Sequence, residues 1–261
     1  MPLPDWLVPE WPAPPRVRAV CTTRAGGVSG APYGSFNLGD HVGDDPAHVA
    51  INRASLQATL GVRPVFLTQV HGVDVAHLSA SSPHGTAADA CVTDQTGVAC
   101  TVMVADCLPV LFAHQISPVV AAAHAGWRGL AGQGANGVLE ETFKRFSALV
   151  PVNKALTATE TIAWLGPCIG PMAFEVGAEV RAAFVAHSPL ADACFVPLPS
   201  GKCLADLAGL ARLRLRTMGI TQVYGNDGSA AWCTVGNPSR FFSHRRDHVS
   251  GRFCASIWLD R

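Results

Sequence analysis

Short, nearly continuous apolar runs alternate along this chain with stripes of helical spacing, and the runs predict strands. Val17–Thr22, Val65–Val70, Val73–Leu78, Ala90–Thr93, Val98–Ala105, Val110–Ala113 and Val119–Ala123 are rich in Val and Ala and are bounded by polar or turn-forming residues. Their apolar character on both alternating faces predicts sheets covered on both sides. Ala47–Leu60 has apolar residues at helical spacing, with Gly61 placed as a C-terminal cap. A long helical pattern runs from the turn after His124 to about Leu149. Glu175–His187 and Leu204–Met218 predict two more helices, and Ile162–Leu165 and Phe253–Leu259 two more strands. In the Leu204–Met218 helix, Leu204, Leu207, Leu210, Leu213 and Leu215 form the core stripe, which leaves Arg212, Arg214 and Arg216 for the solvated faces.

Three of the runs end on ligand-type side chains. His71 follows Phe66–Val70, Cys107 follows Val102–Asp106 and His124 follows Val119–Ala123, each with Gly or Pro at most two residues further on. A single Cys or His in such a run is most often a packed or hydrogen-bonded core residue. Three coincidences at strand ends argue for convergence, and one thiol with two imidazoles and room for solvent is a catalytic zinc set. The three lie too far apart in sequence for a local metal clip, so the fold must assemble the site.

Composition narrows the classes. With 49% hydrophobic and 15% charged residues, the chain has the material for one large core, and no Ser/Gly- or Pro-rich linker divides residues 1–261 into separate domains. Lys+Arg equals Asp+Glu, which argues against a nucleic-acid footprint. The longest apolar stretch, Gly97–Ala113, contains Asp106 and Pro109 and is too short and polar to span a bilayer. The N-terminus lacks the basic start and apolar core of an export signal. Nine cysteines scattered through predicted elements predict free thiols and a cytoplasmic protein.

Several turns carry groups suited to anions. Arg24–Gly30 is glycine-rich around Gly26 and can turn backbone N–H groups toward a charge. Gly126–Gly132 enters a helix, with Arg128 and Gly129 four and five residues beyond His124. Arg240–Asp247 joins aromatic and basic residues. Arg245 and Arg246 are adjacent and point in different directions, so one is expected to face a site and the other to pair with an acid. Asn37 is a candidate partner for a base or sugar edge, or a stabiliser of its own loop.

The motifs Thr22-Thr-Arg24-x-Gly-Gly27-Val-Ser29, Ser35-Phe-Asn37-Leu-Gly39, Gln69-Val-His71-Gly72, Ala88-Asp89-Ala90, Ala105-Asp106-Cys107-Leu-Pro109, Ala123-His124-Ala-Gly-Trp-Arg-Gly129, Gly166-Pro-Cys168-Ile-Gly170 and Ser243-His-Arg-Arg-Asp247 together resemble the YfiH-type family. Its members are described as purine nucleoside phosphorylases and as laccase-type polyphenol oxidases. The resemblance runs in family order from about Thr22 to Arg252. It implies an α+β fold, a single layered domain of packed mixed sheets with outer helices, and zinc ligands at His71, Cys107 and His124. Two departures, His248 after the Arg-Arg-Asp triplet and Val235 after Cys233-Thr234, touch substrate preference more than the ligand motifs.

The activity the resemblance implies is zinc-dependent phosphorolysis of adenosine, inosine and S-methyl-5′-thioadenosine, with adenosine deamination on the side. Zinc with an open position acidifies water enough for attack at C6 of adenine. Asp106 and Asp89 are candidates for moving the proton, or for orienting a ligand histidine. Phosphorolysis needs phosphate held against C1′ of the ribose, for which Arg24, Arg128 and Arg245 are the candidate donors. Cys107, His71, His124 and Asp106 are the candidate catalytic groups. The alternative is a hydrolase with Cys107 as nucleophile and a histidine as base. Copper-dependent oxidation asks for more clustered histidines than the chain offers, and a non-enzymatic binding module leaves the converging ligand types without purpose. The partners expected are a nucleoside and phosphate, with no nucleic acid and no membrane.

Overall fold

A computed structural model describes residues 5–132, 136–151 and 157–260. Two mixed sheets stack face to face. The first has the order β1 (Val17–Cys21), β13 (Phe253–Leu259), β5 (Val98–Val104), β2 (Arg63–Val65). The second has the order β12 (Gln222–Gly225), β8 (Thr161–Leu165), β6 (Leu108–His114), β7 (Val120–Ala125), β4 (Ala90–Thr93), β3 (Val75–His77). A small antiparallel sheet of β10 (Phe195–Pro197), β11 (Cys203–Ala205) and β9 (Glu175–Val176) lies apart from both.

The strands' alternation sorts side chains into layers. Val98, Cys100, Val102 and Val104 of β5 and Leu111 and Ala113 of β6 share one buried cluster between the sheets. Ala99 and Met103 face the other way, into a cluster with Leu56 and Leu60 of helix α1 (Pro46–Leu60). Leu108, Val110 and Phe112 of β6 face a third cluster with Phe146 of α3 (Val138–Ala148), Phe184 of α4 (Ala178–Val185) and Leu210 of α5 (Leu207–Thr217). The layers are therefore helix, sheet, sheet, helices, the mixed architecture the resemblance implied. Both faces of the stacked sheets are dry, which is why their strands read as unbroken apolar runs.

Several elements depart from expectation. The Val65–Val70 run leaves its sheet at Val65, because the Gln69 amide bonds Met103 N and O (2.8 Å each) and Thr68 N donates to Thr86 O. Gly132, at φ +67° and with Asn136 against the place of a Cβ, ends a five-residue α2 (Trp127–Ala131), so α3 is a separate helix. Glu175 and Val176 pair with β11 before Gly177 starts α4. Arg214 is not solvated: it is buried and its Nε donates to Glu140 (2.8 Å). Arg212 donates to the carbonyls of Val223, Gly225 and Asn226. Arg212 thus lies along the edge strand β12 and the residue after it. Leu204 and Ala205, expected to open the Leu204–Met218 helix, lie instead in β11, and the helix starts at Leu207 behind the Asp206 cap; β10 and β12 had no expectation attached. Among the described residues no helix is long and apolar enough to cross a membrane.

Candidate metal centre

The chain crosses from one sheet to the other in the Ala105–Cys107 turn between β5 and β6. Asp106 takes φ +94° there, a conformation that persists only where surroundings over-determine it. They do: Oδ1 accepts Thr234 Oγ1 and Oδ2 accepts Arg245 N (2.6 Å each), and its carbonyl accepts Ile169 N (2.9 Å). Three loops held on one residue aim Cys107 out of the turn. With a hydrogen bond on each carboxylate oxygen, Asp106 holds the turn in place, which favours positioning over the proton transfer considered for it.

His71 also has positive φ, +60°. The backbone N–H groups of Val70, His71 and Gly72 all donate to the buried Asp89 carboxylate, at 3.1, 2.9 and 2.7 Å, a nest around an anion. The same carboxylate accepts His124 Nδ1 at 2.8 Å, which leaves Nε2 of His124 as the outward ligand atom. Burial alone raises a carboxyl's pKa, but the hydrogen bonds from His124 and Gly72 outweigh it and hold Asp89 below the usual range. Asp89 thus positions two ligands at once.

The ligand atoms of His71, Cys107 and His124 lie within 4.8 Å of one another, with Cys107 Sγ 3.7 Å from His71 Nε2. Among the described residues this is the one converging group of His, Cys, Asp or Glu that could hold a metal ion. One thiolate and two imidazoles fit zinc with an open fourth position. Burial opposes ionisation of Cys107, yet His124 and His71 bring its thiol down to about 6. Burial likewise opposes charge on His124, yet Cys107 and Asp89 raise it to about 9. The metal-free trio is therefore a thiolate and imidazolium between those values, and a ligand imidazole must be neutral. Uptake of a metal ion near pH 7.5 is expected to release the His124 proton, seen as a dependence of binding heat on the buffer's ionisation enthalpy. No buffer dependence would mean that His124 is already neutral.

Gly126 has ordinary backbone angles, φ −69° and ψ 158°, so its role is steric. A Cβ there would lie 2.8 Å from His71 Cδ2 and 3.0 Å from Cys107 Sγ. Gly126→Ala is expected to weaken metal binding at this group about tenfold or more while the chain still folds; undiminished metal affinity would show that the ligands have room to move.

The trio sits on the wall of a cavity of about 430 Å³, the size of a small-ligand site. Trp127, Phe174, Met103 and Leu207 supply apolar lining, and His41, His244, Arg245 and Arg252 the basic side. Arg245 Nη1 donates to Ala173 O and Glu175 O, and Arg252 Nη1 to Ser250 O and Gly251 O. Each guanidinium is pinned by one nitrogen, and Nε and Nη2 of both have no hydrogen-bond partner among the described residues. Arg246 pairs with Asp247 at 2.7 Å, so the two adjacent arginines divide as expected.

Three candidates lie elsewhere. Asn37 is fully buried and satisfied: Nδ2 donates to Gly39 O and Asp44, and Oδ1 accepts Gly39 N and Arg252 N. It is a loop stabiliser, not a ligand for substrate. Arg24 spends its fork on Gly34 O and Pro238 O and stacks on Phe242. The N–H groups beside Gly26 go to Ser35 and Asn52, so that loop is no anion nest. Arg128 is exposed over the Trp127 ring, outside the lining, on a helix of five residues. Gly129 serves close packing, since a Cβ there would lie 2.6 Å from Gly72 O. Sequence reasoning missed His41, Gln69, His244 and Arg252 as lining residues, although Gln69 and His244 stand inside motifs already singled out.

A mixed α/β fold carrying a Cys-His-His group in an open cavity defines the class. The profile of the family described as multi-copper polyphenol oxidoreductase laccase matches residues 18–260, and the chain belongs to that family, the YfiH type. A Pseudomonas aeruginosa protein named purine nucleoside phosphorylase is 50% identical over 97% of this chain and 98% of its own length. The Escherichia coli purine nucleoside phosphorylase YfiH is 48% identical over the same shares. A Neisseria meningitidis crystal structure superimposes with a TM-score of 0.90 at 45% identity, covering 99% of this chain and 100% of the other.

Proposed function

We propose that this chain is a zinc-dependent purine nucleoside phosphorylase acting on adenosine, inosine and S-methyl-5′-thioadenosine, with adenosine deamination as a second activity. The observation that carries this reading is one cavity lined both by the His71–Cys107–His124 group and by Arg245 and Arg252, whose Nε and Nη2 have no hydrogen-bond partner among the described residues. Relatives named purine nucleoside phosphorylase at 45–50% identity support it. A cytoplasmic setting belongs to the same reading, supported by nine free thiols.

His71, Cys107 and His124 would hold the zinc, which supplies Lewis-acid polarisation of a substrate oxygen or nitrogen. Arg245 and Arg252 bind phosphate through Nε and Nη2 and hold it against C1′. Because each is already pinned through Nη1, little side-chain order is lost on binding. Phe174 and Trp127 offer faces to the purine. His41 and His244 are the other imidazoles lining the cavity, and His244 is the one assigned to pass a proton to the departing base.

The test is incubation with adenosine, with and without phosphate, followed by product identification and elemental analysis. Adenine and ribose 1-phosphate are expected with phosphate, and inosine independently of it. Adenosine returned unchanged from zinc-loaded protein rejects the reading. Arg245→Gln is expected to raise the KM for phosphate about tenfold or more while that for nucleoside moves little; an equal rise in both would take Arg245 off the phosphate.

The thiolate character of Cys107, with His124 held by Asp89, favours a second reading, a Cys-His hydrolase of amides or esters. Chelation separates the two. A hydrolase keeps its activity without metal and its Cys107 is alkylated at once, whereas a zinc enzyme loses activity and exposes Cys107 only after chelation. Multi-copper oxidation finds less support, since one three-ligand group converges among the described residues.

A further inference from the structure

A second cavity of about 230 Å³ lies beside the first, and His41 and Gln69 line both. Gln69 is fixed, its amide tied to Met103 N and O. His41 is not: its side chain is 57% exposed and its partner is Asp40 at 3.5 Å. It stands between Arg252 on the substrate side and Arg53 on the far side, and burial with both arginines holds its pKa down. The wall shared by the two chambers is thus one fixed amide and one exposed imidazole held, among the described residues, only by Asp40.

The second chamber has a particular charge pattern. Arg53 lies over the Phe66 ring at 4.1 Å, with Nε on Leu38 O and Nη2 on Asp40 Oδ1 at 3.1 Å. Its Nη1 has no hydrogen-bond partner among the described residues. Asp40 uses Oδ1 for Arg53 and His41, which leaves Oδ2 likewise without one. Burial and the arginines around it lower the pKa of His84, whose Nδ1 accepts Phe66 N and whose Nε2 therefore carries the proton. Burial and the arginines disfavour charge on both imidazoles, and Arg53 is offset by Asp40. The chamber nevertheless offers one cationic donor and one anionic acceptor side by side. A phosphate would meet Asp40 and a simple cation would meet Arg53, whereas an α-amino acid satisfies both, carboxylate to guanidinium and ammonium to carboxylate.

We propose that this chamber is a subsite for an α-amino-acid group carried on the 5′ carbon of a purine nucleoside. The proposal rests on the nucleoside reading above, because the zwitterion reaches the chamber through the substrate cavity, tethered at the ribose carbon remote from both the base and the phosphate. The reaction at C1′ is unchanged: the C1′–N9 bond breaks with its electron pair on the purine, which takes a proton, and a phosphate oxygen bonds to C1′.

The probe is S-adenosylhomocysteine, measured against S-methyl-5′-thioadenosine by calorimetry on zinc-loaded protein and by competition in adenosine phosphorolysis. The extended ligand is expected to bind at least as tightly as the methylthio one; weaker binding overturns the proposal. Asp40→Asn alters an exposed side chain whose partners are Arg53 and His41. It is expected to lower affinity for S-adenosylhomocysteine about tenfold or more relative to S-methyl-5′-thioadenosine. An equal change in both ligands, or in neither, overturns the subsite. Tight, Asp40-dependent binding of the probe by a protein that leaves adenosine intact would instead reject phosphorolysis and uphold the subsite.

Discussion

Cys107→Ala is expected to lose stoichiometric zinc and nucleoside turnover together while keeping the fold. The thiol is the one anionic donor of the trio, and two imidazoles from separate loops do not make a tight zinc site alone. Its loss costs the fold little, because Cys107 is half-buried on a turn whose geometry is set by its neighbour. Asp106 keeps its bonds to Thr234 and Arg245 whichever side chain follows it. Turnover is expected to fall by about three orders of magnitude, the scale of removing a group on which a catalytic unit depends. Elemental analysis, circular dichroism and product assay read the three quantities separately. A variant that phosphorolyses adenosine at the parental rate would falsify the placement of the active site; one that loses zinc and unfolds would move Cys107 from chemistry to structure.

The ligand set was legible because apolar runs are a strong signal and a thiol or imidazole at the end of one stands out. The physics of why those side chains stop there was not. His71 ends no strand; it sits at positive φ because three successive N–H groups converge on Asp89, and such a nest leaves no periodic trace. Arginines were the hardest to place. A fork is satisfied by whichever carbonyls the loops present, so Arg24 and Arg212 went to the backbone while Arg252, beside a strand and without a motif of its own, reached the cavity. Asn37 shows the same limit: its four-way satisfaction depends on Arg252, more than two hundred positions away. Close approach is equally silent, since Gly126 looks like a turn residue and is in fact the space that lets two ligands meet.

Asp89→Asn changes one atom and is expected to have the largest effect on stability. The carboxylate accepts four hydrogen bonds with its two oxygens, from Val70, His71, Gly72 and His124. An amide has one acceptor oxygen, so two of these part-buried or buried donors would face its NH₂ in either orientation. Each unsatisfied donor costs about 1–3 kcal/mol, so urea denaturation of the metal-free proteins at pH 7 is expected to show a loss of about 2–6 kcal/mol. The pH dependence has a definite sign. Because Asp89 titrates lower in the folded chain than in the unfolded one, its contribution is complete above the unfolded carboxyl pKa of ~3.9 and fades as pH falls through the lower folded value. The gap between parent and variant should therefore close as pH falls below ~3.9 and through the lower folded value. Zinc affinity is expected to fall about 10–100-fold, the effect of removing a carboxylate behind a ligand histidine, because His124 loses its fixed tautomer and the His71 loop its anchor. A variant of parental stability that binds zinc as tightly would mean the nest closes without its anion, and the argument that one buried carboxylate sets both ligands would fall.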